Sequence, residues 1–478
     1  MSTLPILVVP TVIAGHSAAA LRGPAFARRR QMLMDAYGPG SVVVVRGGQE
    51  QVRNSDVEHP FRQASDLWFL TGFAEPEAIL VLAPGRAGEQ VVLFVRPSDR
   101  AAETWHGRRA GLEGAVSRFG ADKAFPVADF EQELARLCEG AQQVCVTLGQ
   151  DAAFDAQVVR AARRHRLQPR LGLDGPDHLT DPAAVLWEMR LHKGEEELAA
   201  LRRAGAVSAE AHHEAMRLAV PGIGEWEMQA ALEYVCRAAG SQRLGYGSIV
   251  AAGVNATILH YTNNDERAVA GDLILIDAGT EIAHHTADIT RTFPVSGQFS
   301  PAQRAVYEVV LDAQKRAIDV CRVGHSFQDV HDTAVRHLTA GMVALGLLAG
   351  PVDDRIADES YKRYYMHRTS HWLGIDVHDV GLYRVRGQWR PLTPGMVLTV
   401  EPGLYIAADD EAAPADLRGI GVRIEDDVLV TSGDPDVLTA GCVKEILDIE
   451  ALVGTGALHV SGPASLQSAG LVERVAPK

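Results

Sequence analysis

Short, unbroken apolar runs alternate with stretches of helical period along the first part of the chain. Ser41–Arg46 (SVVVVR) reads as a buried strand and is followed by a Gly47-Gly48 turn. Leu67–Leu70, Ala78–Leu82 and Gln90–Val95 read as further strands between Gly/Pro turns. Helices are expected over Phe26–Met34, Asp129–Leu137 and Ala152–His165. Such alternation predicts an α/β domain spanning residues 25–182. The rhythm then changes. A long helix from Glu195 to Leu218 is stopped by Pro221-Gly222, and a second runs from Glu225 to Ala239. Strands follow at Ser248–Ala251 and Leu273–Ile276. Ser300-Pro301-Ala302-Gln303 is a capping box with proline at the first helical position and opens a helix to about Val320; Ser326 caps another, to about Leu348. Strands return at Met396–Glu401 and Gly421–Val430, so residues 183–452 read as a second domain of mixed composition. Residues 1–24 read as a poorly structured or strand-like lead-in. The Gly/Ala/Ser-rich residues 453–478 read as a flexible tail.

Composition places this chain among ordinary globular proteins: 478 residues, 47% hydrophobic and 22% charged. A formal net charge of -15 argues against nucleic acid or an anionic membrane as partner, because neither favours an acidic surface. No apolar run reaches membrane-spanning length. Leu4–Gly15 is apolar and precedes small residues, yet no Lys or Arg stands before it and Pro5 and Pro10 interrupt it, so it is not read as an export signal. The 5 cysteines (Cys138, Cys145, Cys236, Cys321, Cys442) are odd in number and lack CxxC spacing. They read as reduced thiols, which points to the cytoplasm.

The stretch LILIDAGTEIAHHTADITR, from Leu273 to Arg291, carries the first chemical signal. Its apolar runs, Leu273–Ile276 and Thr286–Thr292, bear one aspartate each. A turn near Ile282–Ala283 would set Asp277 and Asp288 across from each other on one face of a hairpin. Two carboxylates so placed repel unless a cation lies between them or one is protonated. Taken singly, either aspartate reads as an ordinary hairpin-end residue. In MVLTVEPGLY, Glu401 ends a buried strand before a Pro-Gly turn. In GIGVRIEDDVLV, Arg423 and Glu425 share one face, a costly arrangement unless both charges are paired or bound. A structural Arg–Glu pair is the plain alternative. YYMHRTSHWLGIDVHDVG adds His367, His371 and His378, whereas His212-His213-Glu214, lacking HExxH, reads as helix surface.

Asp277, Asp288, His371, Glu401 and Glu425 together offer four carboxylates and one imidazole, a donor set suited to Mn(II), Co(II), Zn(II) or Fe(II). Four carboxylates balance two divalent cations. Paired cations about 3.5–4 Å apart acidify a bridging water and polarise a carbonyl, which is hydrolytic chemistry.

LHYTNND, LIDAG, ADITRTFPV, SHWLGIDVHDVG, LTVEPGLYI and GIGVRIEDDVLVT, in this order, resemble the proline-specific aminopeptidases (the aminopeptidase P, or Xaa-Pro aminopeptidase, group) of the pita-bread metallopeptidase family. NSDVEHPFRQASDLWFLTGFAEPEAILVL resembles that group's N-terminal domain, so the likeness covers roughly residues 25–450. It implies an α/β (α+β) chain whose N-terminal α/β domain precedes a pita-bread catalytic domain with a curved, mostly antiparallel sheet. It further implies that Asp277 chelates one metal, that Asp288 and Glu425 bridge two, and that His371 and Glu401 complete the second, with manganese the expected ion. Glu401 would shuttle protons between a metal-bridging hydroxide and the leaving proline nitrogen. His260 and His378 would stabilise the substrate carbonyl or gem-diolate, His367 would line the specificity pocket, and Arg423 would keep the site in order. The ring of the second-position proline would rest on an apolar shelf formed by His367, Trp372 and Tyr405. Trp105, in TWHGRR, resembles a residue that reaches a neighbouring subunit's site, implying a homo-oligomer, a dimer or tetramer. The implied substrates are peptides with proline second. A prolidase-like dipeptidase of the same fold is the nearest rival, followed by methionine aminopeptidase. A non-enzymatic binding protein on this scaffold is disfavoured by the intact ligand set, and a creatinase-like amidinohydrolase would not need all five ligands.

Overall fold

In the computed structural model, residues 23–167 and 174–456 are described; most of the expected lead-in and tail lie outside them. Thirteen α-helices among those residues surround several sheets. The first third contains α1 (Gly23–Tyr37), β1 (Ser41–Arg46), β2 (Val52–Asn54), β3 (Val57–Glu58), α2 (Ser65–Thr71), β4 (Ile79–Leu82), β5 (Val91–Val95), α3 (Arg100–His106), α4 (Gly111–Ser117), β6 (Lys123–Pro126), α5 (Phe130–Leu137), β7 (Gln143–Cys145), α6 (Ala152–Arg163) and β8 (His178–Thr180). Six strands form one mixed sheet in the order β6-β5-β4-β1-β7-β8. Alternate residues of its central strands feed two cores: Val43, Leu80 and Leu93 on one face with α1 and α2, Val42, Val81 and Phe94 on the other with α5 and α6.

One expected strand is a helix. Leu67–Leu70 lies in α2, ended by Gly72 in the left-handed conformation at φ 65°. A four-residue apolar run satisfies either period once both faces are covered. Two arginines of α1 reward the helical choice: Arg29 donates to Phe69 O at 3.0 Å and Arg30 to Leu70 O at 2.9 Å, satisfying carbonyls at the helix end.

The remainder holds α7 (Ala183–Leu191), α8 (Glu195–Leu218), α9 (Glu225–Ala238), β9 (Arg243–Leu244), β10 (Ile249–Ala252), β11 (Leu273–Asp277), β12 (Thr280–Ile282), β13 (His285–Thr286), β14 (Thr290–Pro294), α10 (Pro301–Asp319), α11 (Phe327–Ala344), α12 (Val352–Ala357), β15 (Arg384–Val385), β16 (Gln388–Trp389), β17 (Val397–Val400), β18 (Gly403–Tyr405), β19 (Gly421–Arg423), β20 (Asp426–Leu429), β21 (Asp436–Val437) and α13 (Ile446–Leu452). Ser300 and Ser326 cap α10 and α11 as expected, although α11 stops at Ala344, short of Leu348. The strands pair antiparallel in short sheets, among them β10-β11-β14, β13-β12-β9, β17-β20-β21 and β18-β19. Helices α8 to α11 pack on the β10-β11-β14 and β18-β19 sheets in one large core, while the β17-β20-β21 sheet feeds two smaller ones.

Two strand expectations change in detail. Gly421–Val430 is two strands, because at Ile424-Glu425 the chain leaves the β18-β19 sheet and joins the β17-β20 sheet. The aspartate-bearing hairpin turns at Ala283-His284, both at positive φ (48° and 60°), with Ile282 opposite His285. That is a two-residue turn of the kind that follows strand twist. It pairs Asp277 with Thr290, so Asp288 is the diagonal neighbour of Asp277 and not its direct partner.

Candidate metal centre

The two aspartates still share a face. Tyr246, between β9 and β10, sets its hydroxyl oxygen 2.7 Å from Asp277 Oδ1 and 2.5 Å from Asp288 Oδ1. A phenol has one hydrogen and can donate to only one of them at a time. Gly279 lets the strands close here, since a Cβ on it would lie 1.7 Å from Ala287 O.

The other ligand candidates arrive from three segments. His371 follows α12 in an irregular loop, Glu401 comes directly after β17, and Glu425 occupies the switch between β19 and β20. His371 Nε2 lies 3.4 Å from Asp288 Oδ2 and 3.5 Å from Glu401 Oε1. Its Nδ1 donates to Trp372 O at 3.1 Å, so the neutral ring would carry its lone pair on Nε2, the atom that faces Asp288 and Glu401. Thr290 donates to Glu425 Oε2 at 2.5 Å and Thr399 to Glu401 Oε1 at 3.2 Å. Among the described residues, ligand atoms of Asp288, His371 and Glu425 lie within 4.8 Å of one another. All five candidates therefore converge.

Electrostatics mark the cluster as short of positive charge. Burial, followed by repulsion from the neighbouring carboxylates, pushes Glu425 well above the usual carboxylate range; burial also raises Asp277, and raises Glu401 to about 7. Burial works against charge on Asp288 and His371 too, but their contact prevails: Asp288 is held low and His371 is raised to about 9. Arg423, buried at 3% exposure, donates to Asp277 Oδ2 at 2.7 Å, to Thr290 Oγ1 at 3.1 Å and to Tyr405 Oη at 3.1 Å. One guanidinium against four carboxylates leaves a deficit that divalent cations would fill. Buried oxygen donors with one imidazole are the appropriate chemistry for them, so the residues fit such a group.

Asp277, His371 and Glu401 of the cluster line a cavity of about 590 Å³ whose wall also includes His260, Phe327, His367, His378, Tyr383, Trp389 and Arg423. The His378 ring stands edge-on to His371 at 4.3 Å. Tyr405 lies behind the wall and relays from Arg423 to His367, whose Nε2 accepts its hydroxyl at 2.8 Å. The expected apolar shelf differs. Trp372 is fully buried, stacked on Tyr383 at 5.5 Å and tilted against Phe327 at 4.7 Å, and these two rings with Trp389 supply the apolar wall instead. Trp105 is not in the wall; it is 84% exposed on α3.

Sequence reasoning also missed residues. His212 is not on the helix surface: it is fully buried and its Nε2 lies 3.0 Å from Ala278 O, beside Asp277. It falls on the buried stripe of α8 with Ser208 and Ala215, a signal that periodicity carried. Asp427 accepts from the Asp288 backbone N–H at 3.1 Å, and burial holds its carboxyl well above the usual range. Tyr246 stood in a Gly-flanked segment (LGYGS) with no periodic signal.

Comparison with known proteins bears on this arrangement. Residues 199–432 match the model of metallopeptidase family M24, and residues 26–146 match the aminopeptidase P N-terminal domain. The chain is 44% identical to the Xaa-Pro aminopeptidase of Escherichia coli (strain K12) over 429 residues, 90% of this chain and 97% of that protein. Among solved structures it resembles Pseudomonas aeruginosa aminopeptidase PepP, with a TM-score of 0.89, 48% identity and coverage of 90% and 98%. Zn-substituted E. coli aminopeptidase P in complex with product gives a TM-score of 0.87, 43% identity and the same coverages.

Proposed function

The chain belongs to metallopeptidase family M24, with an aminopeptidase P N-terminal domain, and from that premise we propose how this metal-dependent exopeptidase selects and cleaves its substrate. It releases the N-terminal residue from peptides with proline in second position. The convergence of four carboxylates and His371 carries the reading, with Asp277, His371 and Glu401 in the wall of one cavity and Asp288 and Glu425 buried beside it. The likeness to enzymes that are Xaa-Pro aminopeptidases supports the substrate.

Asp277, Asp288, His371, Glu401 and Glu425 would hold two divalent ions, manganese by preference, which supply Lewis acidity and an acidified water. Glu401 takes a proton from the attacking water and returns it to the proline nitrogen as the bond breaks. His260 and His378 donate to the scissile carbonyl oxygen and to the charge that develops there. Arg423 holds Asp277 and, through Tyr405, orients His367 at the specificity wall. An Xaa-Pro amide has no N–H to offer, so a site that works through the carbonyl suits it. Phe327, Tyr383 and Trp389 provide an apolar surface for the pyrrolidine ring.

We further place the domain boundary near residue 182 and the protein in the cytoplasm, which five buried free thiols support. Among the described residues no helix is long and apolar enough to cross a membrane. A homo-oligomer is proposed on Trp105, exposed on a helix that buries none of its own residues.

The deciding experiment compares manganese-dependent release of the first residue from an Xaa-Pro-Xaa peptide with cleavage of an Xaa-Pro dipeptide, in wild type and Asp288→Ala. Tripeptide cleavage that Asp288→Ala abolishes in a folded protein is expected. A strict preference for the dipeptide would instead make the protein a prolidase.

A further inference from the structure

A guanidinium from the N-terminal domain grips both of the chain segments that bring the first three ligand candidates together. Arg62 lies just ahead of α2. Its Nε donates to Glu281 Oε2 at 2.6 Å, and Glu281 belongs to β12, in the hairpin between Asp277 and Asp288. Its Nη2 donates to Ile375 O at 2.7 Å and its Nη1 stands 3.3 Å from Asp376 Oδ1, both in the loop between His371 and His378. Ser65 receives Nη1 at 3.0 Å and itself donates to Asp376 Oδ1 at 2.6 Å. The second oxygen of Glu281 accepts from Arg243 at 2.7 Å, whose other arm reaches Phe61 O at 3.1 Å, next to Arg62. Trp68 of α2 stacks on His284 at the hairpin turn, ring centroids 4.4 Å apart.

Without this fork, the hairpin and the histidine loop share the backbone bond from Thr286 N to Gly374 O, 3.0 Å long. A metal centre needs its donors held within a fraction of an ångström, and the groups behind them do that holding. Arg62 is 29% exposed at its side chain while Glu281 is 3% exposed, so one end of the pair is screened by solvent and the other is not. A planar fork fixes direction as well as charge, which an ammonium does not.

We infer that Arg62 is a positioning residue for the metal centre: by tying Glu281 to the Ile375-Asp376 turn, it sets the spacing between the hairpin carboxylates and the His371 imidazole. The inference rests on the metallopeptidase reading of the site. An ordinary junction salt bridge would stabilise the fold and leave metal affinity untouched.

The test uses full-length, metal-free protein and manganese(II) alone, titrated calorimetrically, followed by kcat and KM on an Xaa-Pro-Xaa peptide at saturating manganese. Arg62→Met and Arg62→Lys are compared with Arg28→Ala, which removes an inter-domain pair to Glu196 (3.0 Å) that touches neither ligand-bearing segment. Both Arg62 variants should bind manganese about tenfold more weakly, with kcat reduced and KM within about twofold, and Arg28→Ala should match wild type. Wild-type affinity in the Arg62 variants overturns the inference. Should Arg62→Met fail to fold, Arg62→Lys decides alone, and if neither folds Arg62 is a structural residue of the junction and the inference falls. A wild-type protein that binds no manganese sinks the proposed function instead.

Discussion

Gly279 and Ala287 approach so closely across the hairpin that a Cβ on the glycine would lie 1.7 Å from the alanine carbonyl oxygen. The obstacle is backbone, which cannot swing aside as a side chain can. Gly279→Ala is therefore expected to spread the hairpin between its two aspartates and to cost about 3 kcal/mol of stability, the upper part of the range for overpacking. Urea unfolding of the metal-free protein measures it, and an unchanged midpoint would show that the strands part without cost.

Tyr246→Phe removes a hydroxyl shared by two carboxylates while keeping the ring. The fold should persist, and metal affinity should fall by about tenfold, the lower end of what losing a group behind a ligand costs. Equilibrium dialysis against manganese checks this. Affinity equal to wild type would mean that the phenol only fills space.

Acid should destabilise the protein through histidines that burial keeps neutral. Burial depresses His212, His284 and His331 to about 3. A lowered folded pKa means that the unfolded chain binds more protons, so stability is complete above the unfolded value of about 6.5 and is lost as pH falls from there toward 3, by up to about 1.4 kcal/mol per pH unit for each group. His331, whose Nδ1 contacts Thr369 Oγ1 at 2.9 Å, gives the cleanest test. Stability of His331→Asn should fall less steeply than wild type between about pH 6 and about pH 4. Parallel slopes would refute the assignment.

Arg291 is wholly buried opposite Ile276 and donates to Asp426 Oδ1 at 2.7 Å and to the carbonyls of Thr290, Glu425, Cys442 and Val443. Arg291→Met removes a buried donor from each of these acceptors, leaving Asp426 Oδ1 only Thr439 (2.8 Å) and Thr290 O only the Glu425 N–H (3.1 Å), and loss of about 3–5 kcal/mol is expected. Chemical denaturation is the measure. A loss below about 1 kcal/mol would show that Lys444, 2.6 Å from Asp426 Oδ2, suffices as its counter-charge.

The four carboxylates of the candidate ligand set were legible in the sequence because each ends or interrupts an apolar run, and a charge in a buried strand needs a reason; His371 stood out only as one of three histidines in one short segment. Register was harder. The turn at Ala283-His284 uses positive φ without a glycine or asparagine to announce it, so the pairing shifted by one residue on each strand relative to expectation. The Leu67–Leu70 run carried no period at all and its state depended on arginines of α1. Arg62 left no local trace, because its partner Glu281 is 219 positions away. Trp372 sat beside the candidate ligand His371 in sequence but turned into the core.

Thr290 donates to a glutamate 135 positions further along the chain. At a synthesis rate of roughly 5–20 residues per second, the hairpin leaves the ribosome on the order of ten seconds before Glu425 does. For that interval the nascent hairpin holds its aspartates without the opposite half of the cage. The candidate metal site can therefore be completed only after Glu425 has emerged, so its two halves are brought together late in synthesis and not as the hairpin forms.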